Sequence, residues 1–313
     1  MLLLKKSLHS YTFSFSMVVF INRFFYYLLL LLFLLLLLEF QIFPNNSNEM
    51  GLKNKLLIDR GIDTDVLILG NSHTFFGINP DWMSFNAINC ANKSRKLETD
   101  YYLLKRNINF LTNLKSVIIP ISHYTLFTGD VSENEKRLYY NFYDLPEYDQ
   151  GIINNSLIIH QSFKELTDDW IFQNTKLSIK GWRANGNSYI YNEAITKEKV
   201  GEMDIRFNRK TVINNNLNYL SKCIQICIDN EVQLYLLIPP YHPDFYRFSS
   251  GKYTNEINKL LNKIDIKSSI IIDSRNFNIK EDLYFENIDN LNKEGAKIMS
   301  DNLDRILKLK IHE

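Results

Sequence analysis

The residues best suited to chemistry lie first in a short run, Val66-Leu67-Ile68-Leu69-Gly70-Asn71-Ser72-His73-Thr74. An unbroken apolar stretch of strand length stops at a glycine, and a serine and a histidine follow at once. A strand buried on both faces reads this way, and open α/β sheets carry their chemistry beyond the carboxyl ends of such strands. Gly70 permits a sharp turn, so Ser72 falls at or near the start of the next helix, where unpaired backbone N–H groups can hold an oxyanion. A serine so placed suits attack on an acyl carbonyl. It equally suits a plain helix N-cap, and spacing alone leaves both readings open.

A serine nucleophile needs a base. His73, His123 and His242 each follow an apolar run, Val66–Leu69, Val117–Ile121 and Val232–Ile238 respectively. Parallel strands would carry all three toward one edge of the sheet, although a histidine at a strand end is often only a satisfied polar residue. His242 sits in Pro239-Pro240-Tyr241-His242-Pro243, where restricted backbone freedom would fix its ring, so it ranks first as base or substrate ligand. His123 ranks second. His73 ranks last, because adjacent side chains usually diverge from one another.

The elements that must position these residues read as alternating strands and helices. Phe85–Ala91 reads as a second strand, Lys96–Leu111 as a helix with Leu97, Tyr101, Leu104, Ile108 and Leu111 on one face, and Val117–Ile121 as a strand in which Pro120 is awkward. Asn214–Ile228 is a helix, Val232–Ile238 and Ile270–Asp273 are strands, and Asn292–Lys310 closes the fold with Ala296, Met299, Leu303, Ile306 and Leu307 facing inward. The alternation predicts right-handed crossovers and a flavodoxin-like three-layer α/β/α sandwich with a parallel sheet. Residues 125–210 fit no such unit. They are rich in aromatics (Tyr139, Tyr140, Phe142, Tyr143, Tyr148, Trp170, Phe172, Trp182, Tyr189, Tyr191) and read as an insertion over the carboxyl edge. Amphipathic rings suit a sugar surface, with Trp182, Arg183 and Tyr191 foremost, while most would form the insertion's own core.

Near the other end, Tyr284-Phe285-Glu286-Asn287-Ile288-Asp289-Asn290-Leu291-Asn292-Lys293-Glu294-Gly295-Ala296 leads into the final helix. With Gly70-Asn71-Ser72-His73, this stretch resembles the SGNH/GDSL hydrolase superfamily, and most closely its membrane-anchored branch, which includes relatives of the alginate O-acetylation and teichoic acid D-alanylation proteins. The resemblance implies Ser72 as nucleophile, supported by Gly70, Asn71 and His73, with the Asp289–Asn290 loop facing it and cell-surface polymers as substrates. A departure accompanies the match. Asn287 stands where the orienting aspartate of the last block belongs, and Asn290 where its histidine belongs. An asparagine amide takes no proton from a serine hydroxyl near neutral pH. After His242 the chain offers only His312. Two readings follow: an esterase or O-acyltransferase with a nonstandard base, and a noncatalytic relative that binds glycan or supports an envelope assembly. A flavodoxin-like ligand binder is the weakest reading, since no glycine-rich phosphate loop follows any strand.

Phe24–Leu38 holds no charge and is mostly leucine, and with its apolar flanks it reaches the roughly 20 residues of a membrane span. Near-uniform leucine on every face argues against a buried core helix. Lys5, Lys6 and Arg23 precede it, and Glu39 and Glu49 follow, which predicts a cytoplasmic amino terminus and an outer body beginning near residue 49. The body of about 260 residues suffices for one α/β domain with an insertion. Thirty-six basic against 35 acidic residues leave a net charge of +1, so nucleic acid is not an expected partner. The expected partners are a cell-surface glycan or acylated polymer and the membrane itself, with a membrane acyl-transfer partner left open. Of the three cysteines, Cys223 and Cys227 share a helix face with Leu220, Ile224 and Ile228 and read as packed thiols. No metal signature occurs, and no cofactor is expected.

Overall fold

The computed structural model describes residues 17–42, 48–160, 177–184, 186, 192–206, 209–249, 251–263, 268–279 and 282–311. The chain divides into two units, Met1–Pro44 and Asn45–Glu313. In the first, Met17–Ile42 is one helix, and its segment Met17–Glu39 is long and apolar enough to cross a membrane. Its sequence is apolar around the whole helix, without a polar face.

The second unit is built on a five-stranded, wholly parallel sheet. The strands are β1 (Val66–Ile68), β2 (Ala87–Asn89), β3 (Ser116–Pro120), β4 (Gln233–Ile238) and β5 (Ser269–Asp273), in spatial order β2-β1-β3-β4-β5. That order is flavodoxin-like, with its switch point between β1 and β3. The continuous apolar runs are explained by burial on both faces. Leu67, Leu69, Val117, Ile119, Leu234 and Leu236 point into one core, shared with Leu97 and Leu104 of the Leu97–Asn107 helix and Leu220, Cys223 and Cys227 of the Lys210–Asp229 helix. Val66, Ile68, Ile118, Tyr235 and Leu237 point into the other, against Met299, Leu303 and Leu307 of the Lys293–Ile311 helix. Helices therefore cover both faces, and the sandwich has three layers. The three cysteines are buried and free; Ile228, read as sharing their face, is 47% exposed at the penultimate position of the helix.

Pro120 proves compatible with a central strand. The N–H of Ile121 bonds the Leu237 carbonyl at 2.7 Å, so the Pro120 nitrogen faces the β1 side, beyond the point where β1 has ended. Its ring packs where a side chain on Gly70 would stand, and Gly70 holds φ +110°. The glycine and the proline thus specify one another.

The described part of the insertion does not lie wholly over the carboxyl edge. Tyr139, Tyr143 and Tyr148 are buried in the core beside the Leu97–Asn107 helix. The segment around Gly181 runs along the outer edge of β2, where the Asn89 N–H bonds the Lys180 carbonyl at 2.9 Å and no Cβ would fit at Gly181. This covers an otherwise open sheet edge. The Glu193–Arg206 helix packs at the carboxyl end, against the Pro243–Phe248 helix. Trp182, expected on a sugar-binding surface, is buried with its indole N–H on the Phe76 carbonyl at 2.8 Å, and Arg183 pairs with Glu49. Trp170, Phe172, Tyr189, Tyr191 and His312 lie outside the described residues.

Candidate active site

The turn after β1 is held from three directions. The Gly70 N–H donates to the Asp100 carboxylate at 3.0 Å, and the Gly70 carbonyl accepts from Asn92 at 3.0 Å. Asn71, not Ser72, caps the following helix: its Oδ1 accepts from the His73 N–H at 3.1 Å. The Asn71 amide reaches Ser122 Oγ and Thr125 Oγ1, each at 3.2 Å, and so ties the turn to the end of β3. Ser72 opens the Ser72–Gly77 helix half-buried, and its hydroxyl makes no hydrogen bond to any described residue. The N-cap reading of Ser72 is therefore replaced: the cap is its neighbour, and the hydroxyl is left unspent.

Asp100 is fully buried, and burial pushes its carboxyl up to about 7, against the pull of Arg95 at 3.8 Å and the Gly70 N–H. Arg95 is itself buried, bonded to Tyr143 Oη at 2.8 Å and to the Cys90 carbonyl. Lys53, also buried, bonds the Ala91 carbonyl and lies 4.0 Å over the Phe75 ring, and burial lowers its pKa strongly. Neither Asp100 nor these cations stand out in the sequence; the one signal is a carboxylate set within the largely buried first turn of a helix.

Two of the three candidate histidines converge. His73 Nε2 lies 3.2 Å from the Tyr241 hydroxyl, and His123 Nδ1 lies 2.7 Å from the same oxygen. Tyr253 donates to that oxygen from 3.1 Å. On its other side, His123 Nε2 is 4.0 Å from Asp289 Oδ2. A chain of polar groups thus runs from the last block, through His123 and Tyr241, to the residue beside Ser72. Burial depresses the His73 pKa to about 3, which keeps that imidazole neutral and makes it a poor base. The Tyr241 phenol is pushed well above its ordinary range by the same cause. Tyr241 was not singled out from sequence; it is flanked by Pro240 and His242, and only its partners reveal its place.

His242 is occupied differently. It caps the Pro243–Phe248 helix, with Nδ1 accepting from the Asp244 N–H at 3.3 Å, and Nε2 lies 2.7 Å from Asp282 Oδ1. Its own N–H bonds the Ile288 carbonyl at 3.0 Å, so it braces the last block from behind. Both ring nitrogens of His242, the residue ranked first as base, thus have partners outside the His73–Tyr241–His123 network.

The last block is organised by its asparagines. Asn287 Oδ1 accepts from the N–H groups of Asp289 (3.0 Å) and Asn290 (2.9 Å). The Asn290 amide nitrogen bonds Asp289 Oδ1 at 3.1 Å, while its Oδ1 is buried without a hydrogen bond to any described residue. Asn292 caps the final helix, accepting from Glu294 and Gly295. That helix packs against the Ser72–Gly77 helix, and Leu291 contacts the space beside Gly77. Among the described residues no group of three or more His, Cys, Asp or Glu side chains is placed to hold a metal.

No protein-family profile matches the chain, and no curated protein matches it. Solved structures of similar shape include a protein provisionally described as a platelet activating factor from Streptococcus pneumonia (12% identity, 90% of this chain and 97% of that one, TM-score 0.42). Others are a provisionally assigned acylhydrolase from Bacteroides fragilis (10% identity, 79% and 88%, TM-score 0.40) and a provisionally assigned lipolytic protein of the G-D-S-L family from Desulfitobacterium hafniense (12% identity, 78% and 99%, TM-score 0.36).

Proposed function

We propose that this chain is a membrane-anchored acyl esterase or O-acyltransferase of the SGNH/GDSL type, acting on a cell-envelope polysaccharide, with Ser72 as nucleophile. The observation that carries this reading is the polar chain Asp289–His123–Tyr241–His73, which runs from the last block to the residue beside Ser72. In this reading His123 takes the place of the histidine absent at Asn290, and Asp289 that of the aspartate absent at Asn287.

Ser72 Oγ attacks the acyl carbonyl and its proton passes to Nε2 of His123, the ring nitrogen that does not bond Tyr241, where the Asp289 carboxylate stabilises the imidazolium charge. Tyr241 holds the ring, and neutral His73 holds Tyr241. In the Gly70–His73 turn, the N–H groups of Gly70 and His73 are already bonded, to Asp100 and Asn71. The amides of Asn71 and Ser72 remain for the developing oxyanion. Collapse returns the proton to the leaving alcohol, and water or an acceptor hydroxyl then takes the acyl group. The apolar helix tethers the body outside the membrane, in keeping with the basic residues that precede it.

A second reading, a noncatalytic glycan-binding relative, is favoured by one observation: Asn287 and Asn290 bond each other and the loop backbone, as purely structural residues would. Turnover of a small acyl ester by the full chain in detergent, with Ser72→Ala as control, separates the two. Slow turnover lost in Ser72→Ala supports the enzyme; equal rates in both proteins support the noncatalytic relative.

A further inference from the structure

Beyond the carboxyl ends of β4 and β5 lies a hollow of about 360 Å³, lined by Pro240, Tyr241, Tyr246, Thr254, Arg275 and Ile279, with Pro243 at its side. Tyr241 belongs both to this wall and to the histidine network, so the hollow adjoins the candidate active site. Its volume falls within the range of small-ligand sites.

The wall is mostly apolar, with three polar groups set into it. The Arg275 guanidinium is clasped by Asp273, with Nε donating to Oδ1 at 2.7 Å and a second contact through Nη2. Its Nη1 donates to Thr254 Oγ1 at 3.3 Å. The Tyr246 hydroxyl is buried and makes no side-chain hydrogen bond.

Each class of occupant meets this arrangement differently. An anion finds little net charge, because Asp273 already neutralises Arg275. An acyl chain would cover the outer N–H groups of Arg275 and the hydroxyl of Thr254 without pairing them, which costs free energy for each buried polar group. A neutral sugar ring offers a C–H face to prolines and tyrosines, and hydroxyls to the donors and acceptors at the rim. We propose that the hollow is a subsite for one uncharged sugar residue, its C–H face on Pro240 and Tyr246 and its hydroxyls on Thr254 and Arg275. The proposal rests on the polysaccharide reading of Ser72 and names the polymer unit that flanks the acylated one.

Saturation-transfer NMR on the full chain in detergent tests it, using a panel of neutral methyl glycosides (glucoside, galactoside, mannoside, N-acetylglucosaminide) beside galacturonate and octanoate. At least one neutral glycoside should bind through its ring C–H protons. Thr254→Phe, which fills the hollow, should abolish that binding while leaving turnover of a small acyl ester unchanged. Tyr246→Leu, which removes the aromatic face, should weaken binding roughly two- to tenfold. No binding by any neutral glycoside, binding that survives Thr254→Phe, or preferential binding of galacturonate or octanoate would overturn the subsite. Glycoside binding in a protein without Ser72-dependent turnover would uphold the subsite and reject the catalytic reading; turnover without glycoside binding would do the reverse.

Discussion

Asp289 Oδ2 stands 4.0 Å from His123 Nε2, although the two residues come from opposite halves of the chain. One belongs to the loop before the final helix, the other to the turn after β3. Their meeting supplies a carboxylate–imidazole pair joined through Tyr241 to His73, the residue after Ser72. The pair needs both the parallel sheet, which carries His123 to the carboxyl edge, and the asparagine-held loop, which presents Asp289 to it.

The buried imidazole of His73 makes stability acid-sensitive. In the unfolded chain it binds a proton as pH falls through about 6.5, whereas the folded protein resists until about 3. Stability should therefore fall as pH drops across that window, by an amount on the order of a few kcal/mol. Urea unfolding at pH 7 and pH 4 should show a smaller loss for His73→Gln than for the parent protein.

Asp100 works with the opposite sign. Its carboxyl is pushed up from 3.8 to about 7, so the folded state holds a proton that the unfolded state has released. Its contribution is full below about pH 4 and is lost as pH rises toward 7. Asp100→Asn, which keeps an acceptor for the Gly70 N–H, should be less destabilised than the parent on going from pH 5 to pH 8. An unchanged pH slope in unfolding titrations would contradict this.

The sheet was legible in the sequence because all the central strands are buried on both faces, so their apolar runs are continuous and end at turn residues. The contribution of Pro120 was not legible, since its harmlessness depends on Gly70, fifty residues away, passing beside it without a side chain. Ser72 was placed correctly at a helix start, but only the structure assigns the cap to Asn71. The partners of His242, the Asp244 N–H and the Asp282 carboxylate, were not legible, because local restriction by prolines says nothing of which groups surround a ring. Tyr241 and Asp100 escaped notice for a related reason: each acts through a partner remote in sequence. Trp182 was misread for its chemistry, an aromatic with a polar handle, when that handle is spent on a buried carbonyl.

Gly70→Ala should be among the most damaging single changes in the body. A methyl there overlaps the Pro120 ring, and φ +110° is strained for any residue with a Cβ. A loss of roughly 1–3 kcal/mol from the backbone alone is expected, with more from the overlap. Pro120→Ala in the same chain should recover only the overlap, as measured by the urea midpoint.

Restoring the last block offers a gain-of-function test. Asn287→Asp keeps the acceptor used by the N–H groups of Asp289 and Asn290, so the loop should survive. Combined with Asn290→His in a His123→Ala background, it should recover Ser72-dependent acyl-ester turnover, within the roughly 10²–10⁴-fold range of general-base assistance. No recovery in a folded triple variant would count against the alignment of this loop with the family's last block.

The most direct measurement is covalent labelling of the full chain by a fluorophosphonate, with the modified residue mapped by mass spectrometry and the rate followed in variants. The account predicts a single adduct on Ser72, slowed on the order of 10²–10⁴-fold in His123→Ala and slowed much less in His242→Ala. An adduct elsewhere, no adduct at all, or a Ser72 adduct whose rate depends on His242 and not on His123 would contradict it.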